Sequence, residues 1–395
     1  MKIVILHQHF KTPESGGAIR SYYLARALVE RGFKTVIITA HNARNYTKTY
    51  HEGIEVHSLP IPYDNKFGFL SRSLSFLRYA WRSAVLAGQF RDAKICYAIS
   101  VPLTVGFAAI WIKKRYNIPF FFEVGDLWPD APIQLGFVNN YFFRLLLYSM
   151  EKTIYRNAEA VVALSSAIQS AIEKKLPGKT VYLVPNMADC DFYRPETKNP
   201  ELEKKFIVEG KFVVSYIGAM GVANGLDYIL ECANTCRKAN LPIQFLLCGE
   251  GALRDRLKAS ADHLGLNNLT FVDFQDRTGV KDILNITDAV FVCYKNVPVL
   301  ETGSPNKFFD GLASGKIIVI NFGGWIKKEM DENQCGIYVD PRQPTDFVGK
   351  IRPFISDKKK LEQFQHAARD LAERKYARKI LGEKFSKLFA ELAGP

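Results

Sequence analysis

Residues 303–315 carry the spacing most suggestive of chemistry: Gly-Ser-Pro-Asn-Lys-Phe-Phe-Asp-Gly-Leu-Ala-Ser-Gly. Gly303, Ser304, Pro305 and Asn306 form a small polar turn ahead of Lys307 and the apolar-periodic Phe308, Phe309, Leu312 and Ala313. That order predicts a turn, a helix ended by Gly315, and a buried strand over Ile317–Ile320. The mouth of such a helix offers unpaired backbone N–H groups and a positive dipole end, which suit an anion such as a diphosphate. Asp310 lies two turns in, within reach of a ligand at the mouth. An ordinary loop, helix and strand would share this pattern, so the stretch needs support from the rest of the chain.

Support comes from other strand ends. Gly16 and Gly17 follow the first strand, where paired glycines let a phosphate or sugar approach the backbone. There is no Gly-x-Gly-x-x-Gly, no acid at dinucleotide spacing and no P-loop lysine, which argues against a nicotinamide enzyme or an NTPase. Gly249-Glu250-Gly251 is a second close-approach turn. Asp126 closes a strand and could hold an acceptor hydroxyl or take its proton, and Trp128 offers an aromatic face to a sugar or lipid. Asp126 would equally serve as a loop cap. Glu301 is a further acid, catalytic or simply solvated. His7 and His9 end the first strand without the partners of a metal pair, and His9 is a candidate cleft residue. No nucleophile elbow is present.

The elements that position these residues alternate strand and helix, twice over. In the first half the expected strands are 2–6, 35–39, 55–58, 95–99, 119–123, 160–164 and 181–184, with helices at 16–31, 69–88, 101–116, 142–157 and 165–175. The second half restarts with strands at 212–216, 244–248, 269–272, 289–293 and 317–320 and helices at 226–239, 251–264 and 280–286. Residues 185–211 read as linker. The fold class is α/β, two doubly wound parallel-sheet domains facing a cleft, with ligands at strand carboxyl ends. The expected domains are 1–190 and 191–375.

Composition narrows the class. The hydrophobic fraction is 48% and the charged fraction 24%, values of a globular chain with a real core. Seven scattered cysteines imply a reducing compartment, and the 232/236 pair lacks the partners of a zinc site. No signal peptide is expected. Residues 95–112 carry no charge, but Pro102 interrupts them, which favours a strand and a buried helix over a membrane span. Of the net charge of +13, residues 1–195 hold +10. Between 66 and 116 nine basic residues, Arg72, Arg78 and Arg82 among them, interleave with aromatics and face one acid. That mix suits an anionic membrane surface, and equally a helix with a solvated basic side. Nucleic acid is disfavoured because no recognition motif accompanies the charge.

Taken in order, Gly16-Gly17, Asp126-Leu127-Trp128-Pro129, Val184-Pro185-Asn186-Met187-Ala188-Asp189, Gly249-Glu250-Gly251 and Ser304 through Lys316 resemble glycosyltransferase family 4. The resemblance leans to the L-fucosamine-transferase-like branch of bacterial capsule and O-antigen synthesis and spans nearly the whole chain. It implies a GT-B fold with a C-terminal helix, here from about Tyr376, crossing back to the first domain. It implies retaining, metal-independent transfer from a nucleotide-sugar, with a UDP-sugar expected; the basic, aromatic first domain would then hold a lipid-linked glycan acceptor at the inner face of the bacterial plasma membrane. Gly16, Gly17, Gly218, Gly249, Glu250, Gly251 and residues 302–307 would line the donor site, and Asp310 would bind ribose in place of a glutamate. Two departures stand out. Thr302 occupies the place of the family's first glutamate, with Glu301 one residue away. The arginine–lysine pair expected after Gly218 is absent, which leaves Lys307 or Arg20 as the diphosphate cation. A catalytically inactive nucleotide-sugar- or glycan-binding partner and a GT-B nucleotide-sugar epimerase are the alternatives.

Overall fold

Apolar runs without a polar face are satisfied only in sheets covered on both sides. The first half builds one from β1 (Lys2–Leu6), β2 (Lys34–His41), β3 (Thr47–His51), β4 (Ile54–Pro60), β5 (Ile95–Ile99), β6 (Phe120–Val124), β7 (Ala160–Ala163) and β8 (Val181–Leu183). The spatial order is β3-β4-β2-β1-β5-β6-β7-β8, and only the edge strand β3 runs antiparallel. The connecting helices are α1 (Arg20–Glu30), α2 (Phe69–Ala87), α3 (Thr104–Tyr116), α4 (Asp130–Gln134), α5 (Tyr141–Asn157) and α6 (Ser166–Lys175). This is a computed structural model, and it describes residues 1–15, 19–64 and 67–392.

The second half holds α7 (Pro200–Phe206), β9 (Phe212–Ile217), α8 (Asp227–Lys238), β10 (Ile243–Cys248), α9 (Arg254–His263), β11 (Leu269–Val272), α10 (Arg277–Ile286), β12 (Ala289–Val292), α11 (Asn306–Ala313), β13 (Ile317–Ile320), α12 (Gly324–Asn333), β14 (Gly336–Tyr338), α13 (Thr345–Ser356) and α14 (Lys358–Leu371). Its sheet, β11-β10-β9-β12-β13-β14, is wholly parallel, and the strand order reverses beside β9. Phe291 and Phe347 stack at 5.8 Å in its core, with Phe245 against Phe347 at 5.7 Å. Cys232 and Cys236 are buried in the same core.

The chain separates into two compact units. One comprises residues 1–185, 302–304 and 379–395; the other comprises 186–301 and 305–378. The last helix, α15 (Arg378–Leu392), therefore belongs almost entirely to the first unit. There Phe385 and Phe389 lie 5.0 and 5.7 Å from Tyr97 of β5, and Phe389 lies 5.4 Å from Phe121 of β6.

Several elements differ from the sequence expectation. β3 is a wholly polar edge strand, so no apolar alternation marks it; Glu52 and Gly53, both at positive φ, turn it into β4. Of the helix expected from residue 16, residues 16–18 lie outside the described residues, and α1 runs from Arg20. Residues 185–211 are not a bare linker. Asn199 caps α7 with Pro200 at its first turn. Ala188 bridges to Ala377: its N–H donates to the Tyr376 carbonyl (2.8 Å), and its own carbonyl accepts from the Arg378 N–H (3.2 Å). Asp189 then pairs with Arg378 at 2.9 Å.

Candidate functional site in the second unit and its counterpart in the first

In the second unit the carboxyl ends of β9 and β10 come together. The Gly218 N–H donates to the Cys248 carbonyl (2.9 Å) and the Met220 N–H to the Glu250 carbonyl (2.8 Å). A Cβ on Gly249 would lie 2.1 Å from the Gly218 carbonyl oxygen, and one on Gly251 would lie 2.5 Å from that of Met220. Both glycines also hold positive φ. Gly249 and Gly251 thus serve backbone on backbone and fix the turn that follows Gly218. Glu250 between them is exposed, with Arg254 4.0 Å away.

Lys307, in the first turn of α11, reaches this turn. Its Nζ donates to the Tyr216 hydroxyl at 3.2 Å and lies 4.4 Å from the Tyr216 ring centroid and 5.9 Å from that of Tyr294. A Cβ on Gly218 would sit 3.3 Å from the same Nζ. The Tyr216 hydroxyl in turn donates to the Ala219 carbonyl (2.6 Å). No side chain caps α11, whose N-cap is Pro305 and whose first residue, Asn306, is exposed. Burial lowers the Lys307 pKa to about 8, against a smaller upward pull from Cys293. A cation beside an uncapped helix start and a glycine turn can hold a diphosphate.

Asp310, one turn further along α11, is half-buried. Burial raises its pKa to about 7, opposed by the charge of Arg277. Arg277 is ion-paired with Asp189 and stacks on Phe192, 3.8 Å from its ring centroid. Ser304 is buried and Gly303 half-buried. Thr302–Ser304 group with the first unit, where the Thr302 carbonyl accepts from Ser165 Oγ at 2.5 Å. Glu301 faces the start of α12: a Cβ on Gly323 would lie 3.2 Å from its Oε2. A carboxylate there complements a helix N-terminus, which gives Glu301 a structural position instead of a free acid's.

In the first unit Asp126 is exposed just past β6 and Trp128 is half-buried. The turn carrying them is tied down at Asp130, which accepts from Lys175 Nζ at 2.5 Å and from the Tyr148 hydroxyl at 3.1 Å. Lys175 also pairs with buried Glu151 at 2.8 Å. His9 packs 4.5 Å from Tyr63, and burial, then Lys11, lowers its pKa to about 4. His7 Nδ1 lies 2.8 Å from Ser21 Oγ, and its pKa falls to about 3, first by burial and then through His9. Both imidazoles are neutral near pH 7.

Arg20 differs from its expected role. Its guanidinium forks onto Glu123 (2.9–3.2 Å), donates to the Val184 carbonyl at 2.8 Å and also reaches the Pro185 carbonyl. Glu123 takes a further hydrogen bond from Tyr97. Arg20 is a buried tie within the first unit, because its guanidinium spends its donors on these partners. Arg72 likewise turns inward, donating to the Phe67 carbonyl at 3.2 Å, whereas Arg78 and Arg82 are exposed. Gly16 and Gly17 lie outside the described residues.

Sequence reasoning missed Tyr216, Tyr294, Asn321 and Arg277. Asn321 follows β13, accepts from the Tyr294 N–H and donates to its carbonyl, both at 2.9 Å. Position just past a parallel strand was the available signal for Tyr294 and Asn321; nothing local marks the other two.

Comparison with known proteins agrees with this architecture. Residues 15–187 match the family model for the glycosyl transferase 4-like domain, and 197–371 match that for glycosyl transferases group 1. Among curated proteins, the chain is 26% identical over 244 residues to the putative colanic acid biosynthesis glycosyl transferase WcaI of Escherichia coli, covering 58% of this chain and 56% of that protein. It is 19% identical over 249 residues to the alpha-D-kanosaminyltransferase of Streptomyces kanamyceticus, 61% of this chain and 63% of that one. These matches thus span somewhat over half of the relatives' lengths. Among solved structures, sucrose-phosphate synthase from Thermosynechococcus elongatus superposes with a TM-score of 0.81 at 14% identity, covering 99% of both chains. Anabaena HepE, solved with UDP and glucose, gives 0.73 at 17%, covering 99% of this chain and 100% of that one. With both halves matched in order and the fold of the GT-B enzymes, the chain belongs to glycosyltransferase family 4.

Proposed function

We propose that this glycosyltransferase moves a sugar from a UDP-sugar to a lipid-linked glycan in bacterial surface-polysaccharide synthesis, with retention and without a metal ion. The observation that carries the reading is Lys307, held on Tyr216 between the Gly218 turn and the uncapped start of α11. Lys307 and backbone amides would take the charge of the leaving diphosphate, a task many transferases give to a metal. Asp310 would accept from the ribose hydroxyls, with Arg277 holding its charge. The sugar–phosphate C–O bond breaks as the acceptor oxygen bonds the anomeric carbon on the same face, and the acceptor proton passes to the departing phosphate. Asp126 and Trp128 would hold the acceptor.

Two comparisons favour this class. HepE was solved with UDP-glucose, and WcaI and TuaH of Bacillus subtilis are named as putative glycosyltransferases of colanic acid and teichuronic acid biosynthesis. The enzyme would work as a peripheral protein on the cytoplasmic face of the plasma membrane; among the described residues no helix is long and apolar enough to cross one.

A thermal-shift panel of UDP, GDP, ADP, CMP and their sugars, with and without EDTA, tests the reading. A ligand at 100 times its Kd stabilises by about 2.7 kcal/mol. The expected result is a shift with UDP compounds alone, unchanged by EDTA and lost in Lys307→Met. A shift that EDTA abolishes would overturn the metal-independent reading. Binding without turnover on any acceptor extract would favour the inactive partner instead.

A further inference from the structure

α2 is amphipathic with its apolar side outward. Leu70, Leu74, Leu77, Trp81 and Val85 recur at three- and four-residue spacing and are 81, 47, 59, 69 and 51% exposed. The side facing the sheet is Ser75, Tyr79, Ser83, Ala84 and Ala87, all buried. α3 packs against both α2 and α5 and exposes Trp111. α5 repeats the device: Tyr141, Phe142, Leu145 and Leu146 are 66, 79, 50 and 55% exposed, and Phe137 just ahead of it is 66% exposed. A water-facing patch of this extent marks an interaction surface.

Charge says what covers it. Each of the three helices carries three Lys or Arg residues, and the only acid on any of them is Glu151, buried and paired with Lys175. A two-fold contact with a second copy through this face would set cation against cation. An anionic bilayer meets both halves of the pattern. Apolar side chains enter the acyl boundary, tryptophan and tyrosine sit at headgroup depth, and Arg78, Arg82, Lys114 and Arg115 meet lipid phosphates.

We propose that α2, α3 and α5 form a bilayer-inserting face whose apolar side chains, more than its arginines, hold this protein on an anionic membrane. The inference rests on the proposed function only in taking a lipid-linked acceptor as substrate. It places the first unit's α2–α3–α5 side against the lipid and makes attachment largely salt-resistant, since salt screens charge and strengthens apolar burial.

The test is co-sedimentation of the full chain with vesicles of phosphatidylglycerol and phosphatidylcholine, and of phosphatidylcholine alone, at low and high salt, beside the UDP thermal shift. Wild type is expected to sediment with the anionic vesicles and to stay bound in large part at high salt. L77S/W81S/F142S, all exposed positions, is expected to lose more than about tenfold in vesicle affinity at both salts while keeping the UDP shift. R78E/R82E is expected to weaken binding at low salt and to approach wild type at high salt. The inference is overturned if the apolar variant binds as wild type does, if salt alone releases wild type, or if the apolar variant instead dissolves a lipid-free dimer. A UDP shift without vesicle binding overturns it and leaves the transferase reading standing. Vesicle binding without any nucleotide shift supports it and removes that reading.

Discussion

Asp310 and Lys307 are both half-buried on α11, and their titration fixes a pH window. Asp310 has its pKa raised from 3.8 to about 7, so between those values the folded chain holds a proton that the unfolded chain lacks. Its contribution to stability therefore falls as pH climbs toward 7. Lys307 has its pKa lowered from 10.5 to about 8, so between those values the unfolded chain holds the extra proton, and stability rises with pH above 8. From about pH 7 to 8 both groups are charged at a cost to the empty protein, and there a diphosphate and a ribose would repay them. UDP affinity, measured by calorimetry across pH, is expected to peak in that window and fall on both sides. Asp310→Asn is expected to raise the melting temperature of the empty protein at pH 7.5 and to lose the UDP shift. Arg20 belongs to the other kind of charge. Arg20→Ala would leave Glu123 buried and unpaired at a cost of about 3–5 kcal/mol, read by denaturant unfolding, with the UDP shift retained. The sequence placed Lys307 and Asp310 correctly on one helix, because helical spacing is local. It could not separate Arg20 from a diphosphate ligand, because Glu123 and the Val184 carbonyl arrive from distant strands.

Among the elements, the glycine turns after β9 and β10 matter most. Gly249 has no room for a side chain against the Gly218 carbonyl, and its φ of 138° is one that side chains rarely adopt. Gly249→Ala is expected to cost about 1–3 kcal/mol in backbone strain alone, and to weaken UDP binding by displacing the turn under Lys307. Urea unfolding and calorimetry on the same variant read both effects. The glycines were legible as close-approach residues; that the approaching group is the neighbouring turn was not. The same limit explains β3, α7 and Glu301. A polar edge strand and a short capped helix lack an apolar period, and the acid's neighbour at Gly323 is defined only once β13 leads into α12.

At the scale of the whole molecule, the first unit is completed by the far end of the chain. Phe389 is fully buried against Tyr97 and Phe121. Phe389→Ala is expected to destabilise the first unit by about 3–5 kcal/mol, while hydrogen exchange in β9–β14 stays near that of wild type. The two matched family regions, 15–187 and 197–371, divide within a dozen residues of the 185/186 unit boundary. The sequence by itself determined the alternation of buried strands and helices, the two sheets, and the helix that carries Lys307 and Asp310, because each follows from periodicity and turn chemistry within a few residues. Only the tertiary structure decided which cation is spent on a carboxylate and which faces the glycine turn, and which side of α2 looks outward. Those outcomes depend on side chains brought together from strands far apart in the chain, and local pattern carries no record of them.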